Sequence, residues 1–211
     1  EALDLSPQNR VLDLACGLGM VAEYISDTTG AHVTGVDIAA EAVALAQERT
    51  REKRHRLAFR YGDMNDLDLP PRHFDTIIAI ASLHFARDMD QTVRQLVHLL
   101  SPGGQMGLFT FQYSSEGDSP DVLLPENTNL ARALKSQSVE YQTWDFTQKE
   151  IEVRRRQVEA ASELKDAYRL EGNLDLCEDR IRECEIDLPR LKAGTKRRYF
   201  FHVKLRKVGR T

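Results

Sequence analysis

Between residues 10 and 111, short apolar runs alternate with helical patterns. That alternation predicts a largely parallel sheet with helices on both faces. Strands are predicted over 10–15, 32–36, 57–61, 74–81 and 105–111, and helices over 20–27, 40–53 and 90–100. The fourth strand holds the wholly apolar run Ile77, Ile78, Ala79, Ile80 and is expected at the centre of the sheet. Pro102, Gly103 and Gly104 are expected to stop the preceding helix.

After Phe111 the pattern changes. Residues 112–121, rich in Ser, Gly and Asp, read as a mobile loop, 126–137 as a short helix, and 139–146 as an alternating strand. Thr147 with Glu150 three residues on spells a capping box at the head of a long helix. Ile151, Val158, Ala161, Leu164 and Tyr168 share one face of it. A second helix carries Leu174, Cys177, Ile181, Cys184 and Leu188, and the two are expected to form a hairpin. A last strand over 196–204 would set Tyr199, Phe201 and Val203 on one side, with Leu205 continuing that row. The sum is a doubly wound α/β fold with seven mostly parallel strands. It is read as a single domain over 1–211, with a helical insertion over 148–190 between the sixth and seventh strands.

Composition narrows the class. The 211 residues carry 29 Lys and Arg against 33 Asp and Glu, a net charge of −4, which disfavours a dedicated nucleic-acid binder. The stretch from Arg190 to Arg210 holds nine basic residues and no acidic one, and reads as a solvated strand edge or, alternatively, a site for an anionic substrate or phosphate backbone. Arg154, Arg155 and Arg156 likewise read as a solvated helix start or, alternatively, a grip on a substrate carboxylate or phosphate. Cys16, Cys177 and Cys184 lack metal-ligand spacing, so no metal site is expected, and buried thiols suit a reducing, cytoplasmic compartment. No run is long and apolar enough to insert in a membrane, and nothing at the start resembles a signal peptide. The chain opens on Glu1 without an initiator methionine, ten residues before a core strand, so further N-terminal residues are expected. A monomer or a homodimer is compatible with all of this.

The informative stretch is Val11-Leu12-Asp13-Leu14-Ala15-Cys16-Gly17-Leu18-Gly19. A buried strand runs into small residues, which let backbone N–H groups approach a ligand, and then into a helix. Asp37 ends the second strand, where it can accept from a ribose diol or cap the next helix. Asp13 would repel a pyrophosphate and suits an adenosine ligand bearing an ammonium and a sulfonium; the alternative is a local structural carboxylate tied to nearby backbone N–H groups.

With these motifs in order, the sequence resembles the class I S-adenosylmethionine-dependent methyltransferases. Asp13 to Gly19 looks like the family's acidic, glycine-rich loop, with Ala15 in the first glycine position. That departure is small if φ stays negative there. The resemblance implies a cofactor site built from Asp13, Ala15, Cys16, Gly17 and Gly19. It adds Asp37 on the ribose, Ile38 on the adenine, Asp63 and Met64 after the third strand, and Ala81 after the fourth. The cofactor would be S-adenosylmethionine and the product S-adenosylhomocysteine.

The acceptor side is less legible. The segment Ala81-Ser82-Leu83-His84-Phe85 lacks the Asn/Asp-Pro-Pro-aromatic motif of adenine N6 enzymes and is similar to small-molecule methyltransferases. His84 is the candidate general base, against lining the cofactor pocket or a structural role. Tyr113 and Trp144 are candidate aromatic walls for the acceptor, against half-buried aromatics packed on the sheet, and the 148–190 insertion resembles a lid over it, against a plain packing device or a dimer surface. A small-molecule acceptor is therefore expected. Methylation of a protein side chain or RNA, and a non-catalytic S-adenosylmethionine-binding module, are the alternatives.

Overall fold

The structure, a computed structural model, describes residues 3–206. Seven strands form one sheet: β1 (Arg10–Leu14), β2 (His32–Asp37), β3 (Leu57–Tyr61), β4 (Phe74–Ile80), β5 (Leu100–Tyr113), β6 (Tyr141–Asp145) and β7 (Lys196–Lys204). Their order is β3-β2-β1-β4-β5-β7-β6. β1 pairs in parallel with β2 and β4, β2 with β3, and β4 with β5. Progress along the sheet therefore reverses between β1 and β4, the switch point where open α/β sheets receive ligands. The helices are α1 (Met20–Thr29), α2 (Ala40–Arg49), α3 (Met89–Leu99), α4 (Asn129–Ser136), α5 (Thr147–Glu163), α6 (Lys165–Leu170) and α7 (Leu174–Ala193).

The chain divides into two compact units. The first comprises the described residues of Glu1–Thr110, Asn129–Thr143 and Phe200–Thr211; the second is Phe111–Thr128 with Trp144–Tyr199.

In the first unit the period of two along β1 sorts its side chains. Val11 packs into a cluster with Ala22, Val33, Val43, Ala46, Phe59 and Ile78, while Leu12 and Leu14 are buried against the opposite face. Gly19 and Gly35 leave a notch for the Phe59 ring, since a Cβ at either would stand 2.4 Å or 2.6 Å from it. Gly19 also needs its φ of 72°, as the residue that opens α1. α3 starts one residue earlier than its apolar pattern implies, because the Asp88 carboxylate accepts from the Gln91 N–H at 3.0 Å. It stops at Leu99, and Pro102 falls inside β5. The α2 pattern breaks at Arg49 and continues as a 3₁₀ turn over Arg51–Lys53.

The second unit departs further from expectation. β5 runs on to Tyr113, so the expected loop over 112–121 starts late and contains a 3₁₀ turn at Pro120–Leu123. Thr147 is the first residue of α5 and not its cap. Its backbone N–H goes to Asp145 Oδ1 at 2.7 Å, and its hydroxyl accepts from the Arg198 N–H at 3.1 Å. The capping box is absent because Glu150 is spent elsewhere: its carboxylate takes Arg154 Nε at 2.8 Å and Arg198 Nη1 at 2.9 Å.

Arg154 is therefore buried, contrary to a solvated helix start. Its guanidinium also reaches Glu183 at 2.8 Å and Asp187 at 3.2 Å on α7, and Lys196 meets Asp187 at 2.6 Å. Lys196 lies 4.0 Å from the centre of the Phe111 ring. Burial works against the Arg154 charge, yet Glu183 and the other carboxylates hold its pKa above the ordinary value. The basic run of the C-terminal segment is thus no solvated edge at Lys196 and Arg198, which neutralise acidic groups of the helices; Lys207 and Arg210 lie outside the described residues. Along β7, Tyr199, Phe200, Phe201 and Val203 are all buried, so apolar burial is not confined to alternate positions. Cys177 and Cys184 face the helix pair, with Cys177 donating to the Ala161 carbonyl at 3.1 Å. Among the described residues no helix is long and apolar enough to cross a membrane.

Candidate active site

At the carboxyl ends of β1, β2 and β4, within the first unit, lies a cavity of about 430 Å³. Asp37 organises its floor. Oδ2 accepts from the Gly17 N–H at 2.7 Å and Oδ1 from the Ala39 N–H at 2.8 Å, while the Asp37 carbonyl accepts from Gly62 at 3.0 Å. One residue so ties the loop after β1 to the start of α2 and to the loop after β3. A carboxylate has about four acceptor positions, so roughly two remain for a ligand diol.

The wall includes Ala15, Asp37, Ile38, Asp63, Met64 and Ala81 from the sequence-predicted set. It also includes Asn65, Ile80, Ser82, Phe85 and Arg87, which sequence reasoning missed. Asn65, Ser82 and Arg87 sit in irregular backbone and Phe85 ends a 3₁₀ turn, none with a periodic signal; only their closeness to a strand end marks them. Ser82 Oγ donates to the Leu14 carbonyl at 3.3 Å, joining the ends of β4 and β1. Ile38, Ile80 and Phe85 are exposed apolar side chains on this wall, a surface suited to a planar base.

Ala15 and Ala81 both adopt positive φ, 57° and 54°. Ala15 therefore does not sit where φ stays negative, and its replacement of a glycine is a strained one.

Asp13, Cys16, Gly17 and Gly19 lie off the cavity wall. Asp13 shares the face of Val11, is 3 % exposed, and its Oδ2 has no hydrogen-bond partner. Burial pushes its carboxyl up to about 7, against the pull of the Ala22 backbone N–H and with the help of the Asp37 charge. A buried acceptor of this kind suits a cationic donor, and with the two wall carboxylates it fits an adenosine ligand bearing an ammonium. Cys16 is a thiol here, pushed up to about 12 by burial and by Asp13 and Asp37. Asp63 is held below the usual carboxylate range by the Asn65 backbone and side-chain amides, with Arg87 adding to them.

His84 lies in the 3₁₀ turn Leu83–Phe85, exposed and off the wall, with its ring 4.0 Å from that of Phe85. Tyr113 and Trp144 belong to the second unit, 47 % and 41 % exposed, and Lys196 lies 5.0 Å from the Tyr113 ring.

Comparison with known proteins agrees with this architecture. Residues 11–104 match the methyltransferase domain family. The methyltransferase GfsG of Streptomyces halstedii is 34% identical over 110 residues, 51% of this chain and 40% of that protein. The 27-O-demethylrifamycin SV methyltransferase of Amycolatopsis mediterranei is 33% identical over 111 residues, 52% of this chain and 41% of that protein. The chain thus matches less than half the length of either relative. Among solved structures, Haemonchus contortus phosphoethanolamine N-methyltransferase 2, in complex with phosphomonomethylethanolamine and S-adenosylhomocysteine, aligns with a TM-score of 0.83 at 17% identity. That alignment covers 97% of this chain and 50% of the other. Sheet order and family match converge: residues 11–104 of the chain are similar to a methyltransferase domain.

Proposed function

We propose that the chain binds S-adenosylmethionine in this cavity and transfers its methyl group to a small-molecule acceptor, leaving S-adenosylhomocysteine. The observation that carries the proposal is the placement of Asp37 and Asp63 on one cavity wall, at the ends of β2 and β3 beside the switch point. When bound, the cofactor supplies an electrophilic methyl on sulfonium. The chain's residues then bind and orient. Asp37 accepts the ribose hydroxyls through the lone pairs its backbone partners leave free. Ile38 and Met64 flank the base, Asp63 accepts from its amine, and Asp13, buried off the wall, acts on the ammonium only through the field of its charge. Ala15 and Ala81 keep the strand ends narrow beside the ligand.

The titratable side chains on the wall are Asp37, Asp63 and Arg87, so the arrangement favours catalysis by positioning over proton abstraction. His84 enters only as a base reached by rotation of its turn. A small-molecule acceptor is supported by the relatives, whose names specify a rifamycin and phosphomonomethylethanolamine. Protein or RNA methylation has less support, since Lys196 and Arg198 of the basic run are engaged with Asp187 and Glu150. The free thiols of Cys16, Cys177 and Cys184 accord with a cytoplasmic setting.

The test is calorimetry with S-adenosylhomocysteine, then incubation with methyl-labelled S-adenosylmethionine and fractionated metabolites. Saturable binding with label moved to a small product supports the proposal. Binding without transfer to any fraction leaves the non-catalytic module, and absence of binding overturns the cavity assignment.

A further inference from the structure

Asp63, Asn65 and Arg87 close a ring of hydrogen bonds on one wall of the cavity. Asp63 Oδ1 accepts from the Asn65 backbone N–H at 2.9 Å and from Asn65 Nδ2 at 2.7 Å. Asn65 Oδ1 accepts from the Arg87 backbone N–H at 2.8 Å, and Arg87 Nη2 returns to Asp63 Oδ2 at 2.8 Å. Gln95 of α3 fastens the same loop, accepting from the Leu67 N–H at 3.0 Å and donating to the Asn65 carbonyl at 3.3 Å. The ring therefore joins the loop after β3 to the loop after β4, and all three of its members face the cavity.

We infer that Arg87 is a positioning residue that makes the cavity select a purine with an exocyclic amino group over one with a carbonyl at the same position. The inference rests on the proposal that Asp63 meets the purine. Two donors occupy Oδ1 and one occupies Oδ2, so the ring leaves Oδ2 as the place for one further donor and fixes its direction. Every partner of the carboxylate is a donor, which keeps it an acceptor only. An amino group satisfies that acceptor. A carbonyl oxygen would face it with no proton between them, the mismatch that sites built for a hydrogen bond reject most strongly. Arg87 is 75 % exposed and Asp63 23 %, so the ion pair adds little to stability. Its effect is on where the acceptor points. Without Arg87 the Asn65 side chain loses nothing of its own bond to the Arg87 backbone, but Oδ2 is free to rotate or to take a proton and donate.

The experiment compares S-adenosylhomocysteine with S-inosylhomocysteine by calorimetry on the wild-type chain, Arg87→Met, Arg87→Lys and Asp63→Asn, with thermal melts as fold controls. The wild type should prefer the adenosyl compound by about tenfold or more. Arg87→Met should cut that preference by roughly three- to tenfold at unchanged melting temperature, and Arg87→Lys should restore part of it. An unchanged preference in Arg87→Met, or an equal loss of affinity for both compounds, overturns the role of Arg87 if Asp63→Asn abolishes the preference. An unchanged preference in Asp63→Asn overturns the assignment of the purine to Asp63 itself.

Discussion

Ala15 and Ala81 stand at the carboxyl ends of two paired strands, β1 and β4, and both hold a left-handed backbone on the wall of the same cavity. A Cβ in that region costs about 1–2 kcal/mol per residue, whereas glycine enters it freely at an entropic cost of about 0.5–1 kcal/mol. Ala15→Gly should therefore raise stability by about 0.5–1 kcal/mol. Ala15→Val should lower it by at least as much as the strain itself. Urea unfolding of the two variants checks the sign, and destabilisation by glycine would show that Ala15 carries no strain.

Asp13 gives a pH dependence of defined sign. Its folded pKa, about 7, lies above the unfolded value of 3.8, so between these pH values only the folded state holds the proton. Its contribution to stability is therefore lost as pH rises from about 4 to about 7, by roughly 2–4 kcal/mol in all. Asp13→Asn should flatten that part of the profile. A ligand ammonium nearby should oppose the shift, so S-adenosylhomocysteine binding near pH 7 should release a fraction of a proton. Calorimetry in buffers of different ionisation enthalpy measures that release.

Asp37→Ala should weaken S-adenosylhomocysteine at least about tenfold, the loss of one good hydrogen bond to a charged acceptor. It should also cost about 1 kcal/mol of stability, because the Gly17 and Ala39 N–H groups lose their acceptor. Equal affinity in variant and wild type would remove Asp37 from the ribose.

The parallel strands were legible because Val11, Leu12 and Leu14, and then Ile77 to Ala79, are buried runs of the kind only a covered sheet explains. Asp37 and Asp63 were legible because one ends a strand and the other lies two residues past one. Arg87 was not, because its meaning lies in bonds to Asn65 and Asp63, 22 and 24 residues away, and nothing periodic links them. The backbone at Ala15 escaped for another reason: residue type does not reveal φ when an alanine occupies a glycine's place. Arg154 misled through its neighbours, since only one of three consecutive arginines faces α7. The Glu150–Arg154 spacing of four was the available clue.

Asp187→Ala should unfold the second unit more easily by about 3–5 kcal/mol, since it leaves Lys196 and the Asp187 side of Arg154 buried without a counter-charge. Trp144, the single tryptophan of the chain, lies in that unit and reports its unfolding by fluorescence. A melting curve unchanged in this variant would mean that water reaches the two cations.

The knot around Arg154 also differs from the surface ion pairs in its response to ionic strength. Glu23 and Asp27 of α1 meet Arg49 and Lys53 at the protein surface, where mobile counterions compete with each partner. The carboxylates of Glu150 and Asp187 are sheltered from that competition. Salt should thus erode one set of ion pairs while sparing the other, so brine would leave the buried knot as the charge network still holding.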